Sequence, residues 1–254
     1  MKKIFETPLF TQASIPNWPC PECGDGHLIP VQDSFQCYGD ANTARNGEHI
    51  DAEDHKYIFT LTGSCNNCKG SVAVSGRGGL EHAPLGDGQW EIIDYFIPTF
   101  FEPSLQIIDV STNTNLPLPI KNSLKKSFTL FWCDFDACAN RIRSTLELLL
   151  DDMGVTRENP RVPNGYLSLH ERINKIDVTS RTSRDIKALV MALKWLGNTA
   201  SHELEGINHE QLIDGYKMME KILELQYPSI DHDMQRLLLK AKAVNQKKKW
   251  NSGL

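Results

Sequence analysis

Hydrophobic positions change their period near the middle of the chain. In the back half, Phe128, Phe131, Phe135, Cys138, Ile142, Leu146, Leu149 and Met153 step by threes and fours. That predicts one long helix from about Leu124 to Met153, with Gly154 as its left-handed stop. Ser168-Leu169-His170-Glu171 has the spacing of a capping box and opens a helix with Leu169, Ile173 and Ile176 inward. Ile186, Leu189, Val190, Leu193 and Leu196 line one face of a third helix, capped near Thr182 or Ser183. Asn208-His209-Glu210-Gln211 caps a fourth, with Leu212, Ile213, Tyr216, Met219 and Leu223 inward and Pro228 ending it. Asp231–Lys249 reads as a fifth, basic toward its end.

The front half alternates instead. Tyr57, Phe59 and Leu61 mark a strand over Tyr57–Thr62, and His27–Val31 and Ser71–Ser75 read as its neighbours. Between them, Gly39–His55 is polar and acidic and reads as a loop. Gly76–Gly88 is glycine-rich and also reads as a loop; its Gly76-Arg77-Gly78-Gly79 lacks the Gly-Lys-Ser/Thr ending of a phosphate cradle. Trp90–Phe101 is aromatic and β-like but interrupted by Pro98, Leu105–Val110 is a short apolar run, and Leu116-Pro117-Leu118-Pro119 closes the segment. The expected fold is α+β: a small β domain over residues 1–88, a β-like and proline-rich linker over 89–122, and an all-α bundle of four or five helices over 123–254.

Two pairs of cysteines give the front half its chemistry, Cys20-Pro21-Glu22-Cys23 and Cys65-Asn66-Asn67-Cys68. Each Cys-x-x-Cys lets two thiolates converge on one ion, and two such knuckles complete a tetrahedral zinc site. Gly24, Gly26 and Gly70 suit the tight turns such knuckles require. Four thiolates leave no open coordination position, so the zinc is expected to be structural. Cys37, His27, His49 and His55 have no partner at knuckle spacing, and Cys133 and Cys138 read as small residues of the long helix.

Charge separates the halves further. Up to Leu118 there are 6 Lys+Arg against 15 Asp+Glu, a net of -9; the remainder holds 21 against 17, a net of +4. Bulk electrostatics therefore argues against nucleic-acid binding by the front half and permits it in the back half. No apolar run approaches the roughly 20 residues needed to span a bilayer, and the start of the chain has no signal-peptide core. A cytoplasmic protein is expected, whose seven cysteines serve metal binding and free thiols rather than disulfides.

The apolar stripe of the third helix is interrupted by Gly197, Asn198 and His202. A glycine inside a helix costs about 1 kcal/mol against alanine and marks a close backbone approach, here expected to be a homodimer contact. Asn198 and His202 lie four apart on one side of the helix. They form either a buried hydrogen-bonded pair that knits the bundle or a working site.

The order of these features resembles a known family. A long helix with Arg141-Ile142-Arg143-Ser144-Thr145-Leu146-Glu147 is followed by Leu169-x-x-x-Ile173 and then by Leu196-Gly197-Asn198-Thr199-Ala200-Ser201-His202. Over roughly Trp90 to Tyr227 this is similar to a bacterial family of unknown function with a Leu-Gly-Asn-x-x-x-His signature, which belongs with the HEPN superfamily of small helical bundles. Related domains occur at the C-termini of type I restriction-enzyme R subunits and behind zinc ribbons. Catalytic HEPN domains are metal-independent ribonucleases that act as dimers, with an Arg four to six residues before a His. The resemblance implies that His202 is an acid/base group with Asn198 as its orienter. At the four to seven positions before His202 stand Asn198, Gly197, Leu196 and Trp195, and the nearest base is Lys194, which cannot fork onto a phosphate.

Two functions follow as expectations. One is a non-catalytic dimerisation and binding module in a phage-defence or toxin-type system. It would contact RNA through Lys194, Arg141, Arg143, Lys247, Lys248 and Lys249, and protein partners through the acidic zinc ribbon, without a membrane. The alternative is a metal-independent ribonuclease with a composite site at a dimer interface. The missing arginine weighs toward the first.

Overall fold

Alternating burial organises the front half into an antiparallel sheet. β1 (Leu28–Pro30) and β2 (Gln36–Gly39) both pair with β3 (Lys56–Cys65), β1 opposite Gly63–Cys65 and β2 opposite Tyr57–Thr60. β3 pairs with β4 (Ser71–Gly86), which pairs with β5 (Gln89–Glu102). The computed structural model describes residues 3–6, 9–86, 88–202, 206–228 and 237–244. Phe59 and Leu61 of β3, Val72 and Val74 of β4, and Phe96 and Phe101 of β5 turn one face inward, where Phe10 and Trp18 cover it.

The glycine-rich stretch expected as a loop is part of β4. Gly76 lies between Phe59 of β3 and Pro98 of β5 in register, and a Cβ on it would meet the Ile97 carbonyl at 2.2 Å and the Phe59 ring at 2.5 Å. These glycines are strand residues lacking side chains because aromatic rings of the neighbouring strands cross over them. The insert at 39–55 also has more order than expected. The Asp40 carboxylate accepts the Thr43 N–H at 2.8 Å and caps α1 (Ala41–Asn46).

The span read as a linker, 89–122, is built into both halves. Its first part is β5, Leu105, Ile107, Ile108 and Val110 are buried, and Leu118 begins α2 (Leu118–Leu130) with a proline in the first turn. The single helix expected over Leu124–Met153 is two. Between α2 and α3 (Phe135–Asp152) the chain turns at Phe131–Asp134, and the Asp134 carboxylate accepts the Ala137 N–H at 2.8 Å to start the second helix. The break points two aromatics at the sheet: Phe5 meets Phe131 and Trp132 edge-on at 6.2 and 6.0 Å, and Phe101 lies 4.7 Å from Trp132. One continuous apolar core therefore runs from sheet to helices.

α4 (Leu169–Asn174), α5 (Arg181–His202) and α6 (His209–Gln226) complete the described bundle. Both expected capping boxes form, at Ser168/Glu171 and Asn208/Gln211. The apolar face of α6 expected from the sequence is buried throughout. Of the expected fifth helix, residues 237–244 are helical and exposed, and the remainder lies outside the described residues. No helix among the described residues is long and apolar enough to cross a membrane.

Candidate functional site

Two turns of similar construction bring the cysteines together. Cys20 N–H donates to the Gly26 carbonyl at 2.9 Å and Gly24 N–H to the Cys20 carbonyl at 3.2 Å. In the second turn Cys65 N–H donates to the Gly70 carbonyl at 2.8 Å and Lys69 N–H to the Cys65 carbonyl at 3.2 Å. The fourth residue after each leading cysteine takes the left-handed conformation, Gly24 at φ 72° and Lys69 at φ 65°. Gly26 has no room for a side chain: a Cβ would stand 2.4 Å from the Cys65 sulfur.

The four Sγ atoms all lie within 4.8 Å of one another, with Cys20 to Cys68 and Cys23 to Cys65 at 3.7 Å. The N–H groups of Asn67 and Gly70 point at the sulfurs of Cys65 and Cys68, each at 3.4 Å. The Gly26 backbone N–H, aided by that of Asp25 against the cost of burial, draws the Cys23 thiol down to about 6. Such donors favour thiolates, and the cluster can hold a metal ion. The other residues weighed as ligands stand elsewhere. Cys37 is exposed on β2, His27 uses its backbone N–H on Asn66 at 2.9 Å, and both ring nitrogens of His55 lie 3.1 Å from carbonyls of the insert, those of Asp51 and Gly47.

The helical site is assembled across α3 and α5, and its members divide. Arg143 is brought to α5: a Cβ on Gly197 would meet the Arg143 Cβ at 2.7 Å and Cδ at 2.8 Å. The close approach that the glycine signalled is thus made within the chain by an arginine stem, and Gly197 needs no second copy to explain it. The Arg143 Nε is buried without a hydrogen-bond partner among the described residues. Arg141 and Asn198 are half-buried. Lys194 does not present a free ammonium. It is only 7% exposed, and its Nζ lies 3.4 Å from the centroid of the Trp195 ring. Trp195 itself stands off the apolar stripe, 54% exposed, with the His170 ring 6.4 Å away; an aromatic outside the stripe was the signal that could have singled it out. The His202 side chain and Lys247, Lys248 and Lys249 lie outside the described residues.

Cys138 is a core residue. It is buried between the Ser127 carbonyl at 3.2 Å and the Tyr216 hydroxyl at 3.1 Å, and burial pushes its thiol up to about 12, which removes it as a nucleophile. Cys133 is exposed at the break between α2 and α3.

Two family models match the chain. Residues 8–103 match a domain of unknown function (DUF8608), and residues 125–249 match a second domain of unknown function (DUF4145). Neither description is of a HEPN domain or a restriction subunit. The first match ends one residue beyond β5, so β5 falls with the front unit rather than with a linker. No curated protein and no solved structure matches the chain.

Proposed function

We propose that the protein is a zinc-ribbon, HEPN-like binding module, a homodimer that contacts RNA and protein partners without cutting RNA, in a phage-defence or toxin-type system. Zinc suits the front half because thiolates about 2.3 Å from a tetrahedral ion stand about 3.8 Å apart, close to the 3.7 Å of the two shortest sulfur pairs. Held there by Cys20, Cys23, Cys65 and Cys68, the ion supplies folding energy and no open position for substrate. The observation that carries the non-catalytic reading is the placement of Lys194. The base nearest in sequence before His202 is buried against Trp195, withdrawn from a phosphate.

One observation favours the ribonuclease alternative. Arg143 reaches α5 at Gly197 and brings an arginine to a stretch, Trp195–Ser201, that has none in the seven positions before His202. Incubation of labelled RNA with the full chain in the presence of chelator separates the readings. Weak, salt-sensitive binding with intact RNA is expected, weakened by Arg143→Ala. RNA cleavage that His202→Ala abolishes would establish the alternative; salt-insensitive binding would reject the proposed surface.

A further inference from the structure

Trp195 takes no part in the core, yet its ring is held in place. The indole caps the Lys194 ammonium, whose Nζ lies 3.4 Å from the ring centroid. Lys194 is buried and Trp195 exposed, so the ammonium lies between the ring and the body of the protein, and the opposite face of the ring is turned to water. The exposed His170 ring of α4 stands beside it at 6.4 Å, tilted by 57°. The Asn174 side-chain amide donates to the His170 Nε2 at 3.1 Å and steadies that imidazole. A ring already fixed by a cation beneath it loses little freedom when a ligand stacks on it.

Helical spacing puts this ring in line with the candidate site. Asn198 is three positions on from Trp195, and position 202 is seven on, about 10 Å along the axis. Ala188 and Arg184, seven and eleven positions before Trp195, are exposed and continue the same face toward the start of α5. Gly197 lies on another side, against the Arg143 stem. Carboxylates of the adjoining helices are engaged elsewhere. Glu171, next to His170, accepts the Ser168 N–H and hydroxyl at 2.8 Å each, and Glu147 of α3 binds Arg172.

We propose that Trp195 is a stacking platform for an unpaired base of single-stranded RNA, which sets the adjoining sugar–phosphate toward Asn198. Every base has a π-face, so stacking on the indole works with any of the four and does not rely on the protein's net charge. In a duplex those faces are covered by neighbouring bases, and only an unpaired base can be splayed onto the ring. The inference rests on the RNA-binding reading above and names its substrate class, single-stranded rather than duplex RNA.

Binding of a labelled, unstructured oligoribonucleotide to the full chain tests it, beside an abasic strand of the same length and a duplex of the same sequence. Trp195→Ala is expected to weaken binding of the single strand by about tenfold. The factor should be the same at about 50 and about 200 mM salt, because stacking releases no counterions. The abasic strand and the duplex should bind the variant as they bind the wild type. Trp195→Phe, which keeps a smaller ring over the ammonium, is expected to recover most of the loss. Stacking also quenches the indole: a fluorescence quench by the single strand should disappear in Trp195→Phe and persist in Trp90→Phe, with Trp18 and Trp132 buried in both. Circular dichroism checks folding, and the quench carries the test if Trp195→Ala misfolds. A wild type that binds none of the three probes overturns the RNA reading and the platform together. Single-strand binding that Trp195→Ala leaves unchanged, or weakens equally on the abasic strand, overturns the platform alone, as does a quench that is absent or survives Trp195→Phe.

Discussion

The two candidate sites differ in how they are held. All four cysteines come from two short turns built on related hydrogen bonds, so local backbone geometry delivers each pair of sulfurs and the packing of one turn on the other, with Cys20 against Cys68 and Cys23 against Cys65, finishes the cluster. The helical site depends on how α3 lies on α5, and packing sends its members in different directions. Arg143 is laid along Gly197, while Lys194 is folded under Trp195. A site whose ligands sit within one turn is dictated by that turn. A site spread over two helices is decided by side-chain volume at the crossing.

Removing the metal is the strongest way to break this contrast. Structural zinc supplies on the order of 10 kcal/mol of folding energy in small domains, so Cys65→Ser or a strong chelator is expected to unfold the sheet and release one zinc per chain. The helices should not escape. Phe5 and Phe101 pack on Phe131 and Trp132, and their loss bares the end of α2. The helical signal is expected to persist at low temperature but to melt earlier. A helical melt unmoved by chelation would show that the shared core adds nothing to stability, and protein purified without zinc would remove the metal reading itself.

Legibility in the sequence follows the same division. The cysteine spacing, the capping boxes at Ser168 and Asn208 and the inner face of α6 were readable because each depends on neighbours within a turn or two. β4 was misread because Gly76 and Gly78 are the usual marks of a loop, and only the rings of Phe59 and Phe96 on adjoining strands explain them. The break between α2 and α3 was hidden because Phe131 and Phe135 keep helical spacing across it, while Phe131 and Trp132 are claimed by the N-terminal segment and sheet. Arg172 gave no sequence signal at all. It is 1% exposed and binds Glu147, Asp151 at 2.7 Å and the Val155 carbonyl at 2.8 Å, which ties α4 to the end of α3.

That arginine provides the next largest expected effect. Removing one partner of a buried ion pair costs about 3–5 kcal/mol. Glu147 and Asp151 keep roughly a third of their side-chain surface in water, which places Arg172→Ala near the lower end. Chemical denaturation should show the loss with the zinc content unchanged, which sharpens the distinction between a site held by metal and one held by packing. A cost under about 1 kcal/mol would mean that the pair acts as an exposed one.

Gly197 tests whether the crossing of α3 and α5 is as close as its contacts imply. Gly197→Leu drives a side chain into the Arg143 stem, where even a Cβ has no room. Overpacking of this kind costs about 1–3 kcal/mol. The loss should shrink in part when Arg143→Ala is combined with it, because alanine removes the Cγ and Cδ that crowd this position but keeps the Cβ at 2.7 Å. Additive losses in the double variant would mean that the two residues do not share that space.

The smallest expected effect is a pH dependence at the seam between the halves. His209 opens α6, its ring lies 5.6 Å from Phe131 and 5.7 Å from Phe135, and its Nε2 is buried without a partner among the described residues. Burial lowers its pKa below the usual 6.5, with a hydrogen bond to the Phe5 backbone pulling the other way. A positive charge at a helix N-terminus is disfavoured as well. Between the folded value and about 6.5 the unfolded chain therefore binds a proton that the folded chain resists. Stability is full above that range and falls as the pH drops through the folded value. His209→Phe, which keeps a ring between Phe131 and Phe135, is expected to flatten the decline of melting temperature between about pH 7 and 5. Acid also protonates the cysteine thiolates and weakens metal binding, but that loss is common to wild type and variant and cancels in their difference. Parallel curves for the two proteins would show that His209 takes up its proton as readily in the folded chain as in the unfolded one.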